Sequence, residues 1–254
     1  LGREDKSEVI LTPYLREALI KLNPELPDQA YNHAIELIYQ GIADKTLAQV
    51  NQEKYLLFKS GVPVSFTNSK GELVKKRLKV FDFKDYSNNS FLAVRQLEIV
   101  GELYNRRPDV IAFVNGIPLV FMELKAHNKD LRNAYVDNLS DYKDTIPHIF
   151  HSNGFIILSN GTDAKVGAIT SSYKYFLEWK RIEEDQEGVV SLDTLLRGTC
   201  SKHHLMDIFE NFLLFDTSHG DVVKIMAKNH QYIGVNKVIE NVNNIQDLQG
   251  KLGV

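Results

Sequence analysis

The chain has 254 residues, of which 43% are hydrophobic and 25% charged, and its formal net charge is −3. These values indicate a soluble globular protein with room for one large domain, or for one medium domain and a fragment. No apolar run reaches the about 18 residues of a membrane span, and a protein that only coats DNA would usually be basic. The one cysteine, Cys200, excludes a disulfide framework and a Cys-based zinc site. No apolar signal-peptide core lies near residue 1, and the low cysteine content fits a reducing cytosol, so we expect a cytoplasmic location.

The first part of the chain has apolar residues at helical spacing. Three helices are predicted there, over residues 8–22, 28–40 and 44–58. The pattern then changes to alternation, which is typical of strands. It predicts a hairpin over residues 62–83 and a single strand over residues 90–103.

The second half of the chain mixes the two patterns. The predicted elements are a helix over residues 129–143, two short strands within 154–170, a helical or irregular segment over 173–183, a short and a longer helix within 187–215, and a helix over 221–242. Helices, antiparallel strands, a helix, strands and helices in this order predict a mixed α/β domain with one central sheet.

Two basic clusters stand out in this acidic chain. One consists of Lys75, Lys76, Arg77 and Lys79, and the other is the pair Arg106-Arg107. Any contact with nucleic acid would need such local positive charge. Each cluster, however, is more often a solvated strand edge than a nucleic-acid contact.

Residues 105–131, NRRPDVIAFVNGIPLVFMELKAHNKDL, predict a buried hairpin with charges at its far end. Asp109 opens the first apolar run, and Glu123 and Lys125 close the second. An unbroken two-residue turn at Asn115-Gly116 would put Asp109 and Glu123 on opposite faces. A three-residue loop that pairs Phe113 with Ile117, with a left-handed Gly116, would bring the charges to one face. A bulge elsewhere would serve as well.

Three buried charges need compensation, because desolvating an ionised group is costly unless it is paired. Two carboxylates on rigid strands suit Mg²⁺, which takes few protein carboxylates and keeps several waters. Such an ion activates water and neutralises charge on a phosphate. A lysine beside it would orient the water, deprotonate it or hold the phosphate. The alternative is a surface ion pair at a strand end, which occurs far more often for this triplet by chance.

The sequence of this hairpin, RRPDVIAFVNGIPLVFMELKA, resembles the PD-(D/E)xK nuclease core in the R subunits of type I restriction enzymes. The likeness extends to LREALIKLNPELPDQAYNHAI, LKVFDFKDYSNNSFLAVRQ, IPHIFHSNGFIILSNGTDAKVGAIT and KIMAKNHQYIGVNKVIE, in that order. It covers nearly the whole chain. The resemblance implies a restriction-endonuclease-like α/β fold, a central mixed sheet flanked by helices on both sides.

The resemblance also implies an activity, the cleavage of double-stranded DNA with Mg²⁺, for which Mn²⁺ could substitute. It makes Asp109 and Glu123 the metal ligands and these two with Lys125 the catalytic residues. Supporting or DNA-contacting residues would be Asn138, Tyr142, Arg106 and Arg107. Asn138 and Tyr142 stand where the family often has a Gln-x-x-x-Tyr motif, with Asn in place of Gln. An additional acidic ligand stays unassigned, because Glu36, the one candidate, lies on a polar helix face.

R subunits work with an ATP-driven DNA translocase, and the phosphate-loop motif of such a motor is absent from this sequence. The expected organisation is an endonuclease domain over residues 1–200 and a helical lead-in to the motor over 201–254. ATP is expected only in the full-length protein, where Gln231 would contact the adenine. The implied partners are double-stranded DNA, the methyltransferase and specificity subunits and the protein's own motor domains, with no membrane. The rival hypotheses are a non-catalytic module that docks DNA or a partner, and a stand-alone repair phosphodiesterase.

Overall fold

The computed structural model describes residues 1–40 and 44–244. Within that part of the chain a mixed sheet of five strands forms the centre, in the order β3-β6-β7-β8-β9. Its strands are β3 (Phe91–Arg95), β6 (Val110–Val114), β7 (Ile117–Leu124), β8 (Phe155–Ser159) and β9 (Ala164–Gly167). Only the β7–β8 pair of this sheet is parallel. Successive residues of β7 and β8 are buried, so both faces of these strands are covered, as the uniformly apolar sequence predicts.

Three helices precede the sheet, as predicted: α1 (Thr12–Leu22), α2 (Asp28–Tyr39) and α3 (Leu47–Ser60). The first begins four residues later than expected. The chain just before Thr12 contacts the central hairpin instead, where the Leu11 amide donates to the Gly116 carbonyl at 2.9 Å. The predicted hairpin over 62–83 is confirmed as β1 (Val62–Thr67) and β2 (Leu73–Leu78), which form a separate two-stranded sheet against α2.

The single strand predicted over 90–103 is wrong. Strand β3 ends at Arg95, and Gln96 has a left-handed backbone with φ 52°. After this break β4 (Ile99–Val100) pairs with β5 (Asn105–Arg106) outside the main sheet. The helix predicted over 129–143 exists in three pieces: α4 (Leu131–Asn133), a π-helical stretch (Ala134–Leu139) and α5 (Ser140–Thr145).

Beyond the sheet, the segment 173–183 is largely irregular, with a 3₁₀ turn at Tyr173–Tyr175. Two helices of similar length follow, α6 (Leu192–Cys200) and α7 (Lys202–Asn211). The helix predicted over 221–242 is wrong at its start. Strand β10 (Leu213–Asp216) pairs with β11 (Val223–Met226), and α8 begins only at Asn229 (Asn229–Asn243). The alternation of burial along β11, with Lys224 inside and its neighbours outside, is the period of a strand.

Lys224 ties this C-terminal hairpin to the rest of the molecule. Its ammonium is fully buried and donates to the Asn51 side-chain oxygen at 2.9 Å and to the Asn153 carbonyl at 2.5 Å. Phe209 of α7 packs against Phe81 and Tyr55, so residues on both sides of position 200 share one hydrophobic core. The division at residue 200 stays a prediction. No helix of the described residues has the length and apolarity to cross a bilayer.

Candidate active site

The turn of the central hairpin has two residues, so it is not the three-residue loop that was one of the two ways to bring the charges together. Val114 pairs with Ile117 across it. Asn115 and Gly116 both have positive φ, 49° and 79°, the pattern of a hairpin turn that matches strand twist. Asn115 tolerates this backbone because its buried amide is anchored. It donates to the Val80 carbonyl at 2.7 Å and accepts from the Ser90 amide at 2.7 Å.

A bulge beyond the turn brings the charges to one face, which is the alternative that the sequence left open. Phe113 pairs with Pro118, but Ala112 pairs with Val120, so Leu119 is the extra residue. Pro118 has no amide proton and lies next to the bulge, as expected. The Leu119 carbonyl accepts instead from the Gly154 amide at 2.7 Å. The shifted register, continued by one residue past Val110 and Met122, sets Asp109 opposite Glu123.

Asp109 holds the end of β6 against β7 through its side chain. One carboxylate oxygen, Oδ2, accepts from the Leu124 amide at 2.8 Å. The other, Oδ1, accepts from the Gln96 side chain at 2.7 Å. The carboxylate is therefore fixed between the two neighbouring strands, directly beside the backbone that carries Glu123 and Lys125.

Glu123 is a buried carboxylate with an unusual environment. It is 3% exposed, and its Oε2 atom has no hydrogen-bond partner among the described residues. Its Oε1 lies 3.3 Å from the Lys125 ammonium. Burial raises the pKa of Glu123 to about 7, the negative charge of Asp109 adds to the rise, and Lys125 opposes it. A partly compensated carboxylate of this kind marks a candidate functional site.

Lys125 contacts both the π-helical stretch that follows the hairpin and strand β7. Its ammonium donates to the side-chain oxygen of Asn138 at 2.5 Å, so the shorter stem of Asn138 reaches Lys125. Tyr142 lies behind them, 7% exposed, with its ring 5.6 Å from that of Phe121. Burial, followed by the charge of Glu123, raises the pKa of Tyr142 to about 12.

The predicted arginines lie in different surroundings. Arg106 forms a two-pronged ion pair with Asp141, at 2.6 and 2.8 Å, and its guanidinium lies over the Tyr104 ring. The Asp141 carboxylate neutralises much of the positive charge of Arg106, so less of that charge is available to attract DNA. Arg107 is exposed and donates weakly, at 3.4 Å, to the Gln96 carbonyl.

The remaining candidates lie outside this cluster. Glu36 is exposed on α2, as its polar helix face suggested. The Gln231 side chain accepts from the Lys228 amide at 2.9 Å and so caps the start of α8. Burial raises the pKa of Cys200 to about 11, which makes it a poor nucleophile. The basic residues of β2 are exposed.

Sequence reasoning missed Gln96 and left open where the bulge would lie. No glycine marks position 96, so the left-handed backbone that ends β3 has no sequence signal. Pro118 was the one indication of an irregular pairing nearby. The helical spacing did place Asn138 after the hairpin, but not its contact with Lys125.

The donors fit a hard divalent cation. No group of three or more His, Cys, Asp or Glu side chains in residues 1–40 and 44–244 is arranged to hold a metal. Mg²⁺, however, is usually bound by one or two carboxylates with water completing its shell. The buried Glu123 oxygen that lacks a partner beside the fixed Asp109 carboxylate is the observation that supports such an ion.

Comparison with known proteins gives a consistent result. Residues 1–175 match the family described as Type I restriction enzyme R protein N terminus. The type I restriction enzyme HindI endonuclease subunit of Haemophilus influenzae is 36% identical over 94% of this chain and 23% of its own length. The putative MjaIXP endonuclease subunit of Methanocaldococcus jannaschii is 27% identical over 94% of this chain and 24% of its own. The chain thus spans about a quarter of the length of these curated relatives.

Proposed function

The chain belongs to the family of type I restriction enzyme R protein N termini, and on that premise we propose that it is a nuclease module that hydrolyses phosphodiester bonds of double-stranded DNA with Mg²⁺. One observation carries the proposal. Among the described residues, one oxygen of the buried Glu123 carboxylate has no hydrogen-bond partner, while Asp109 lies opposite Glu123 across the strand pair and Lys125 lies two residues further along. An unpaired buried acceptor costs stability, so the free oxygen favours a ligand at this place over a purely structural ion pair.

In this proposal Asp109 and Glu123 are the protein's ligands for the ion. When bound, Mg²⁺ would supply charge neutralisation at the phosphate and a more acidic water. The Gln96 and Leu124 donors keep the Asp109 carboxylate from rotating. Glu123 must lose its proton to serve as a ligand, and its pKa of about 7 allows that near neutral pH.

Lys125 would act on the phosphate or on the attacking water. Asn138 and Glu123 both accept from its ammonium, so it points into the carboxylate cluster. A fixed cation there stabilises the negative charge that develops on the phosphate oxygens. Water adds to phosphorus, one ester P–O bond breaks, and the products are a phosphate monoester end and a hydroxyl end.

The wider assembly is also part of the proposal. Relatives about four times as long are named endonuclease subunits of type I restriction enzymes. We propose that this module works in a cytoplasmic complex with an ATP-driven translocase and with methyltransferase and specificity subunits. Gln231 would then contact adenine, and use of its Oε1 for that contact would require the cap at Lys228 to open.

The test is Lys125→Ala in the assembled complex. We expect DNA cleavage to fall by about a hundredfold or more while ATP hydrolysis is unchanged. Lys129→Ala is the matched control, since Lys129 is exposed four residues further along, and it should cleave normally. Cleavage by Lys125→Ala at the wild-type rate would overturn the proposed catalytic role. If unsubstituted protein neither cleaves DNA nor binds Mn²⁺, a non-catalytic docking module is the better account.

A further inference from the structure

Gln96 has a backbone conformation that its side chain does not favour. It lies at the end of the edge strand β3 with φ 52°, in the left-handed region. For a residue other than glycine this conformation is strained. Such strain persists where the surroundings determine the conformation, and it is often found at functional sites.

Gln96 contacts the candidate site through both its backbone and its side chain. Its amide nitrogen donates to the Asp109 carbonyl at 3.0 Å, continuing the β3–β6 ladder by one residue. Its side chain turns onto the Asp109 carboxylate, where Nε2 donates to Oδ1 at 2.7 Å. Gln96, Asp109 and Glu123 therefore form one row across three neighbouring strands.

Each oxygen of the Asp109 carboxylate receives one N–H donor, Oδ1 from the Gln96 side chain and Oδ2 from the Leu124 amide. A carboxylate oxygen has two acceptor sites, so each keeps one for another ligand. The plane of the carboxylate is set by donors from both flanking strands. Removal of the Gln96 donor would leave it held from one side only.

The side chain of Gln96 is uncharged, and this matters for a cation site. A lysine or arginine in its place would also orient Asp109, but it would cancel the negative charge that attracts a divalent ion. An amide orients the carboxylate and leaves that charge intact. Donors of this kind, which bind a metal ligand rather than the metal, commonly set ligand geometry and metal affinity.

We propose that Gln96 is a positioning residue of the metal site, which orients Asp109 for a divalent cation; this rests on the proposed function. The test is a Mn²⁺ titration of the chain at pH 8, in which electron paramagnetic resonance measures the concentration of the free ion. Gln96→Met keeps the length of the side chain and removes the donor. We expect its Mn²⁺ affinity to be about tenfold weaker, whereas Gln29→Met, at an exposed position of α2, should leave affinity unchanged.

A second variant separates the amide from the backbone strain. Gln96→Gly adopts the left-handed conformation without steric strain, so it should keep or raise the melting temperature of the metal-free protein. It still lacks the amide, and we expect the same tenfold loss of Mn²⁺ affinity. Retained stability with lost affinity is a result that a merely structural role would not produce.

The outcomes are distinguishable. Wild-type Mn²⁺ affinity in Gln96→Met, or in Gln96→Gly alone, would overturn the positioning role while the metal site stands. Failure of the unsubstituted protein to bind Mn²⁺, or unchanged binding in Asp109→Asn, would instead remove the proposed function on which the inference rests.

Discussion

At the scale of single residues, the ionisation of Glu123 would link stability to the proposed metal binding. Its pKa in the folded protein is about 7, above the usual 4.5, chiefly through burial. Between these two pH values the folded protein holds a proton that the unfolded chain has lost. The metal-free fold therefore loses stability as pH rises from about 4.5 to about 7. A bound cation reverses this preference, because it needs the ionised form.

Glu123→Gln should remove that pH dependence. Without metal at pH 8, we expect the variant to have a free energy of unfolding about 1 to 3 kcal/mol above that of the wild type, because a buried charge beside Asp109 is gone. Urea unfolding at pH 5 and pH 8 measures the effect. Glu36→Gln on the exposed face of α2 is the control and should match the wild type. A Glu123→Gln protein that is less stable at pH 8 would contradict the assigned environment.

The residue types of the site could be predicted, but their contacts could not. Asp109, Glu123 and Lys125 are recognisable because charges end two apolar runs. The donor from Gln96 depends on a left-handed backbone that no residue preference at that position predicts. The contact of Asn138 with Lys125 depends on a π-helical stretch, whose extra residue per turn has no sequence signal here.

At the scale of elements, the central hairpin sets the geometry of the site. Its turn is pressed against the start of α1. A side chain at Gly116 would place its first carbon 2.4 Å from the Leu11 carbonyl oxygen and 2.9 Å from the Leu15 nitrogen. The turn must therefore have a glycine for two reasons, its positive φ and the close approach of the helix backbone.

Gly116→Ala tests this packing, with Gly71→Ala as a matched control. Gly71 has a nearly identical φ of 80° in the β1–β2 turn and open space around it, so its substitution should cost about 1 kcal/mol from conformation alone. Gly116→Ala should cost about 3 kcal/mol or more, because backbone atoms must also move. Chemical unfolding of both variants measures the difference. Equal losses at the two positions would show that the approach of α1 is not tight.

Element types were largely predictable where the pattern is long, and less so where it is short. The three N-terminal helices and the strands of the central hairpin follow from apolar spacing. Strands β10 and β11 have four residues each, too few for alternation to outweigh the helical pattern on either side. The carbonyl of Leu119 at the bulge accepts hydrogen bonds from Asn153 and Gly154, residues distant in sequence that a local pattern does not reveal.

At the scale of the whole molecule, the C-terminal hairpin and the central sheet are connected through buried polar groups. Lys224 donates to the Asn153 carbonyl, and the Asn153 side chain donates to the carbonyl of Leu119 at the bulge. Burial lowers the pKa of Lys224 to about 7. The class of fold was predictable from element order, whereas this connection required the tertiary structure, since lysine in a sequence predicts an exposed side chain.

The most direct test of the central claim is anomalous X-ray scattering from crystals of the chain soaked in Mn²⁺ at pH 8. The proposed function predicts a Mn²⁺ peak in contact with the carboxylates of Asp109 and Glu123, lost in crystals of Asp109→Asn. A fully soaked crystal with no peak at these two carboxylates, or with Mn²⁺ bound only elsewhere, would contradict the assignment of a metal-dependent nuclease site to this hairpin.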